Sequence, residues 1–121
     1  MPKKIQIKDV HVLKALLNRR IDGRLLEIIL WVAQEYGLCF TEGWRDLGRS
    51  GDVHNTDPLR AVDLRSWFYR PDVAKEIEAA INARWSYDHR RPEKNCAWIH
   101  NSGQGVHFHV QVHPNTRRRE I

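Results

Sequence analysis

The chain has 121 residues, 41% hydrophobic and 29% charged, the balance of one ordinary globular domain rather than a long disordered segment. Twenty Lys and Arg against fifteen Asp and Glu give a formal net charge of +5. This favours an anionic partner such as nucleic acid, cell-wall polymer or an acidic substrate, without choosing among them. The longest apolar run, residues 25–33, is interrupted by Glu27 and is too short to cross a membrane.

The chain opens Met-Pro-Lys-Lys-Ile-Gln-Ile-Lys with no apolar h-region behind it, so no secretory signal is expected and synthesis is read as cytoplasmic. Asp9 is placed to cap a first helix with Val12, Leu13, Leu16 and Leu17 on its apolar face. Asp22-Gly23 marks a break. The spacing predicts a second helix over residues 24–36 that buries Leu25, Ile28, Ile29, Val32 and Ala33, with Gly37 as its C-cap. A short strand is expected at 38–41, then a long polar loop at 42–58 of the kind that often carries function. A second strand is expected at 60–65. Asp72 would cap a third helix ending near Trp85, with Val73, Ile77, Ala80 and Ile81 inward. Residues 96–99 and 106–112 read as a hairpin around the turn at 101–105.

This order predicts an α+β domain with a small, mainly antiparallel sheet and the N-terminal helices packed on one face. No linker divides residues 1–121, and 115–121, with Arg117, Arg118 and Arg119, reads as a flexible basic tail. Cys39 and Cys96 are far apart and neither is in a Cys-x-x-Cys pair, so buried free thiols are expected.

The last strand carries the chemistry. Val106, Phe108, Val110 and Val112 alternate with His107, His109, Gln111 and His113. Successive side chains of a strand take opposite faces, so the apolar set turns to the core and the imidazoles line the other face. Histidine is the commonest metal ligand and the natural acid or base near neutral pH, although a solvated strand face would give the same alternation. Two further candidate ligands sharpen the pattern: His54 in the polar loop, and Asp63 inside the apolar run Ala61-Val62-Asp63-Leu64. A carboxylate in such a strand is solvated or paired. Two imidazoles and one carboxylate would leave a tetrahedral zinc one position for water, as hydrolytic sites require. Asp57 and His100 are alternative members of the set. His11, His89 and His113 read as surface residues. Trp44, Trp67, Phe68, Tyr69, Trp85 and Tyr87 read mostly as packing aromatics.

Gly43-Trp44-Arg45, His54, Arg60-Ala61-Val62-Asp63-Leu64 and His107-Phe108-His109-Val110 follow one another in an order that resembles D-alanyl-D-alanine metallopeptidases. These belong to a wider zinc group with lysostaphin-type endopeptidases and the hedgehog signalling domain, and the resemblance spans residues 41–112. It implies a hedgehog/D-Ala-D-Ala peptidase-like sheet, a Zn2+ cofactor held by His54, Asp63 and His109, and peptides of bacterial peptidoglycan as substrate. His107 would take the place of the base or transition-state stabiliser, and Arg45 that of the arginine holding a substrate carboxylate or carbonyl. His100 and Tyr87 are further substrate-side candidates, Tyr87 as a donor to an oxyanion.

Two departures from the family pattern stand out. The separation of His54 from Asp63 is longer than usual by two residues, and Asp52 stands at the usual Ser. The glutamate many members carry three residues before the last histidine is Val106 here, so the base must be a histidine. Small phage lysis enzymes of the group often lack a signal peptide and reach the wall by a separate route. The implied function is a zinc peptidase, as a phage lysis enzyme or D,D-carboxypeptidase. The rivals are a zinc-binding module without catalysis, a phage structural part, or a basic nucleic-acid-binding protein, the last lacking any helix-turn-helix or basic-aromatic strand pattern.

Overall fold

The computed structural model describes residues 3–18, 20–43, 56–101 and 106–119. Its fold is α+β, with three α-helices and a five-stranded, mainly antiparallel sheet. In chain order the elements are β1 (Ile5–Ile7), α1 (Val10–Leu17), α2 (Gly23–Tyr36), β2 (Leu38–Glu42), β3 (Ala61–Leu64), a 3-10 turn (Ser66–Phe68), α3 (Pro71–Arg84), β4 (Trp85–Ser86), β5 (Ala97–Asn101), β6 (Val106–Gln111) and β7 (Arg117–Arg118). The main sheet runs β1-β2-β3-β6-β5, and β4 and β7 form a separate two-stranded ribbon.

Local chemistry sets the helix ends. The Asp9 carboxylate accepts the Val12 amide at 3.0 Å, and the Asp22 carboxylate accepts that of Arg24 at 2.9 Å, so both helices start on an acidic cap. Asp22 is 3% exposed; burial alone would raise its pKa, but the Arg24 side chain and backbone hydrogen bonds hold it below the ordinary value. Gly37 ends α2 at φ +75°, and a Cβ there would lie 2.5 Å from the Lys4 carbonyl oxygen. Only glycine lets the helix end pass so close to the first strand.

All five residues expected to be buried on α2 are buried, and with Phe108, Val110, Val62 and Leu64 of the sheet they form one core. On α1 the core takes Val12 and Leu16, whereas Leu13 and Leu17 are 38% and 75% exposed. One residue further along a helix is a turn of about 100°, enough to rotate that pair out of the interface. For α3, Arg70 rather than Asp72 is the N-cap and makes no side-chain cap; Pro71 presets the first turn and Asp72 sits within it. Ala74 is buried with Ile77 and Ile81, while Ala80 is only half-buried.

The sequence reading had no counterpart to β1, which is parallel to β2, nor to β4 and β7. These are strands of two or three residues, too short to show a period. In the described part of the segment expected to be a basic tail, Arg117 and Arg118 pair with Ser86 and Trp85, and the Arg119 amide donates to the Arg84 carbonyl at 2.7 Å. Both cysteines are buried free thiols, and burial pushes the Cys96 thiol up to about 12. Among the described residues no helix is long and apolar enough to cross a membrane.

Candidate metal centre

Strands β3 and β6 are antiparallel neighbours, and their register sets Asp63 opposite His109. Val62 and Leu64 turn into the core at 0% and 2% exposure, so alternation sends the Asp63 carboxylate to the opposite face. It is nevertheless only 8% exposed. A carboxylate held this far from water needs a positive or hydrogen-bonding partner, and the His109 Nδ1 atom lies 3.1 Å from its Oδ1.

The orientation of His109 follows from a relay along β6. The Gln111 amide nitrogen donates to the Asn95 carbonyl at 2.9 Å, which turns its oxygen toward His109. That oxygen lies 3.0 Å from His109 Nε2 and is placed to accept a proton carried there. With the proton on Nε2, the Nδ1 atom of a neutral ring faces the Asp63 carboxylate with its lone pair. A cation held between nitrogen and oxygen would bridge such a pair, as would a proton on Nδ1. The 3.1 Å separation is an ordinary hydrogen-bond distance, and it is also close to the ~3.3 Å between two donors each 2.0–2.1 Å from a tetrahedral zinc. A histidine whose remote N–H is fixed by an amide or carboxylate is also the usual arrangement around metal ligands.

His107 and His109 share a face of β6, and His100 of β5 is the register partner of His107, with ring centroids 5.9 Å apart. Trp98, opposite His109, stacks on His100 at 4.1 Å. Beside these lies a cleft of about 410 Å3 whose lining includes Asp63, His107, Glu42, Lys8, Arg65 and Trp67. The Arg65 guanidinium rests over the Trp67 ring at 4.3 Å, although that ring is 74% exposed.

The fold therefore pairs Asp63 with His109 and His107 with His100, and lines one cleft with Asp63 and His107. His54 and Arg45 lie outside the described residues. Among the described residues no group of three His, Cys, Asp or Glu side chains is gathered closely enough to hold a metal. Asp57 is 57% exposed and 3.9 Å from Arg20. Tyr87 belongs to the core, 7% exposed and packed on His113, and burial raises its hydroxyl pKa. His113 lies just past the end of β6 and is half-buried. Its Nδ1 accepts the Asn115 amide, inside a turn that also ties Asp88 and Thr116. Sequence reasoning passed over Gln111, Glu42, Arg65 and Trp98. Gln111 had a visible signal, being next on the same strand face after His109; the others needed the pairing of strands distant in sequence. No family model, curated protein or solved structure matches this chain.

Proposed function

We propose that the chain is a zinc-dependent peptidase acting on peptide bonds of bacterial peptidoglycan, with the sheet serving as a hedgehog/D-Ala-D-Ala peptidase-like scaffold. The observation that carries this reading is the Gln111-oriented His109 nitrogen facing the Asp63 carboxylate at 3.1 Å, a ready pair of zinc donors. His54 is proposed as the third ligand, on the resemblance described above.

When bound, zinc would supply Lewis acidity, making a water more acidic and polarising a scissile carbonyl. The chain's own residues would do the rest. His107, in the same cleft as Asp63, accepts a proton at its ring and returns it to the departing amine. His100, paired with His107 across the hairpin, orients that ring. Arg45 clamps a carboxylate or carbonyl of the peptide with its planar fork of donors. A phage lysis enzyme and a D,D-carboxypeptidase share this chemistry and differ in the bond presented.

The test is release of peptide fragments or terminal D-alanine from purified peptidoglycan, with and without a chelator. Release that a chelator abolishes and zinc restores supports the proposal. Intact peptidoglycan beside a fully zinc-loaded chain overturns the peptidase reading and leaves a zinc-binding module.

A further inference from the structure

The β4–β7 ribbon shapes a second cleft, of about 500 Å3, lined by Ser86, His89, Pro92, Arg117, Arg118 and Arg119. It shares no lining residue with the cleft at Asp63 and His107. We propose that this cleft binds the phosphate groups of a linear polyanion.

Three consecutive arginines line one cleft because the backbone around them is paired. Arg117 and Arg118 are in register with Ser86 and Trp85, and the Arg119 amide is bonded to the Arg84 carbonyl. Two of the side chains are further anchored. Arg118 Nε is 3.5 Å from a Glu27 carboxylate oxygen, and its guanidinium lies 6.0 Å from the centre of the buried Trp85 ring. Arg119 Nε donates to the Asn82 carbonyl at 3.0 Å. The contacts to Glu27 and Asn82 both use Nε, which leaves each fork its terminal nitrogens as further donors.

A guanidinium fork matches two phosphate oxygens at once, and a fork already held in place loses less freedom on binding than a free lysine. No carboxylate is among the described residues that line this cleft. Ser86 and His89 add further hydrogen-bonding groups at its wall. Recognition stops at the phosphates: Trp85 and Tyr87, the nearby aromatics, are 3% and 7% exposed and offer no face for a base to stack on. The ligand is therefore a phosphodiester or polyphosphate chain taken by charge and fork geometry, without base readout.

The experiment titrates the whole chain with inorganic polyphosphate and with an oligothymidylate of matched charge, following backbone amide shifts by NMR. Expected are similar affinities for the two probes, shifts at Ser86, His89 and Arg117–Arg119, and a log-log salt slope of about −2 for three neutralised phosphates. Replacing Arg117 and Arg119 together by Gln should weaken binding by about tenfold or more and flatten the slope. Because Arg119 also anchors to Asn82, Arg117→Gln alone serves as the second variant, with the amide spectrum as the check on folding. Binding left unchanged by Arg117→Gln, shifts confined to the other cleft, or affinity for the oligothymidylate without affinity for polyphosphate would each overturn the proposal. So would absence of binding by the unaltered chain, which would make the arginines an ordinary solvated face. None of these outcomes touches the zinc reading, whose residues lie elsewhere.

Discussion

Gln111 contacts neither the proposed substrate cleft nor the proposed ion, yet it meets the nitrogen of His109 remote from Asp63. Its amide is pinned at one end by the Asn95 carbonyl and presents its oxygen to Nε2 at the other. Gln111→Ala should leave the fold intact and weaken zinc binding by about 10–100-fold, the usual cost of removing a ligand's outer hydrogen bond; competition against a calibrated chelator measures it. Unchanged affinity would mean that the ring is oriented by packing alone. Two proton acceptors, His107 and Glu42, share the cleft with Asp63. The account assigns the proton to His107, so His107→Ala should retain zinc and lose activity by about 10²–10⁴-fold. Glu42→Gln should be the milder change in the same peptidoglycan assay, and the reverse order would move the role to Glu42.

At the scale of elements, α3 closes one edge of the sheet with side chains rather than with another strand. Asn82 donates to the Ala97 carbonyl and accepts the Ala97 amide, both at 2.9 Å, and Glu78 accepts the Ile99 amide at 2.7 Å. The outer groups of Ala97 and the Ile99 amide are thus satisfied, which blunts that stretch of the edge as a template for another chain. Asn82→Ala should cost about 1–3 kcal/mol, because Ala97 is 1% exposed and its backbone would be left unpaired; urea denaturation reads the loss.

The segment between β4 and β5 hangs on Asp88, whose carboxylate accepts the Arg90 amide and meets the Asn115 and Arg91 side chains. These hold its pKa down to about 2 from an ordinary 3.8, the Arg90 amide contributing most. A carboxyl depressed in the folded state binds fewer protons there than in the unfolded chain. Its stabilisation is therefore complete above the ordinary value and fades as pH falls through about 2. Asp88→Asn should flatten the acid limb of a thermal-stability profile between those values and leave the slope above pH 5 unchanged.

Much of the whole molecule was legible in the sequence, for reasons that differ by element. The α2 face repeats Leu25, Ile28, Ile29, Val32 and Ala33 at helical spacing, and β6 alternates over its full length, so period alone found both. Phe108, Val110 and Val112 are buried as the alternation required; Val106, at the strand's start, is 50% exposed. Strands of two or three residues carry no period, which is why β1, β4 and β7 were invisible and Arg117–Arg119 read as a tail. Of the candidate site, Asp63 and His109 were each marked as polar residues within apolar strands. Their contact across β3 and β6 is a fact of register that spacing could not supply. Tyr87 is buried against His113 and bonded through its carbonyl to Thr116, contacts between residues distant in sequence that spacing could not supply.

The central claim is that Asp63 and His109 hold a metal together. Zinc content per folded chain, measured after reconstitution and removal of free metal, tests it directly in the unaltered protein and in Asp63→Ala and His109→Ala. The account predicts a single zinc in the unaltered chain and none in either variant, with both variants still giving a folded spectrum. Full zinc retention in folded His109→Ala would contradict it.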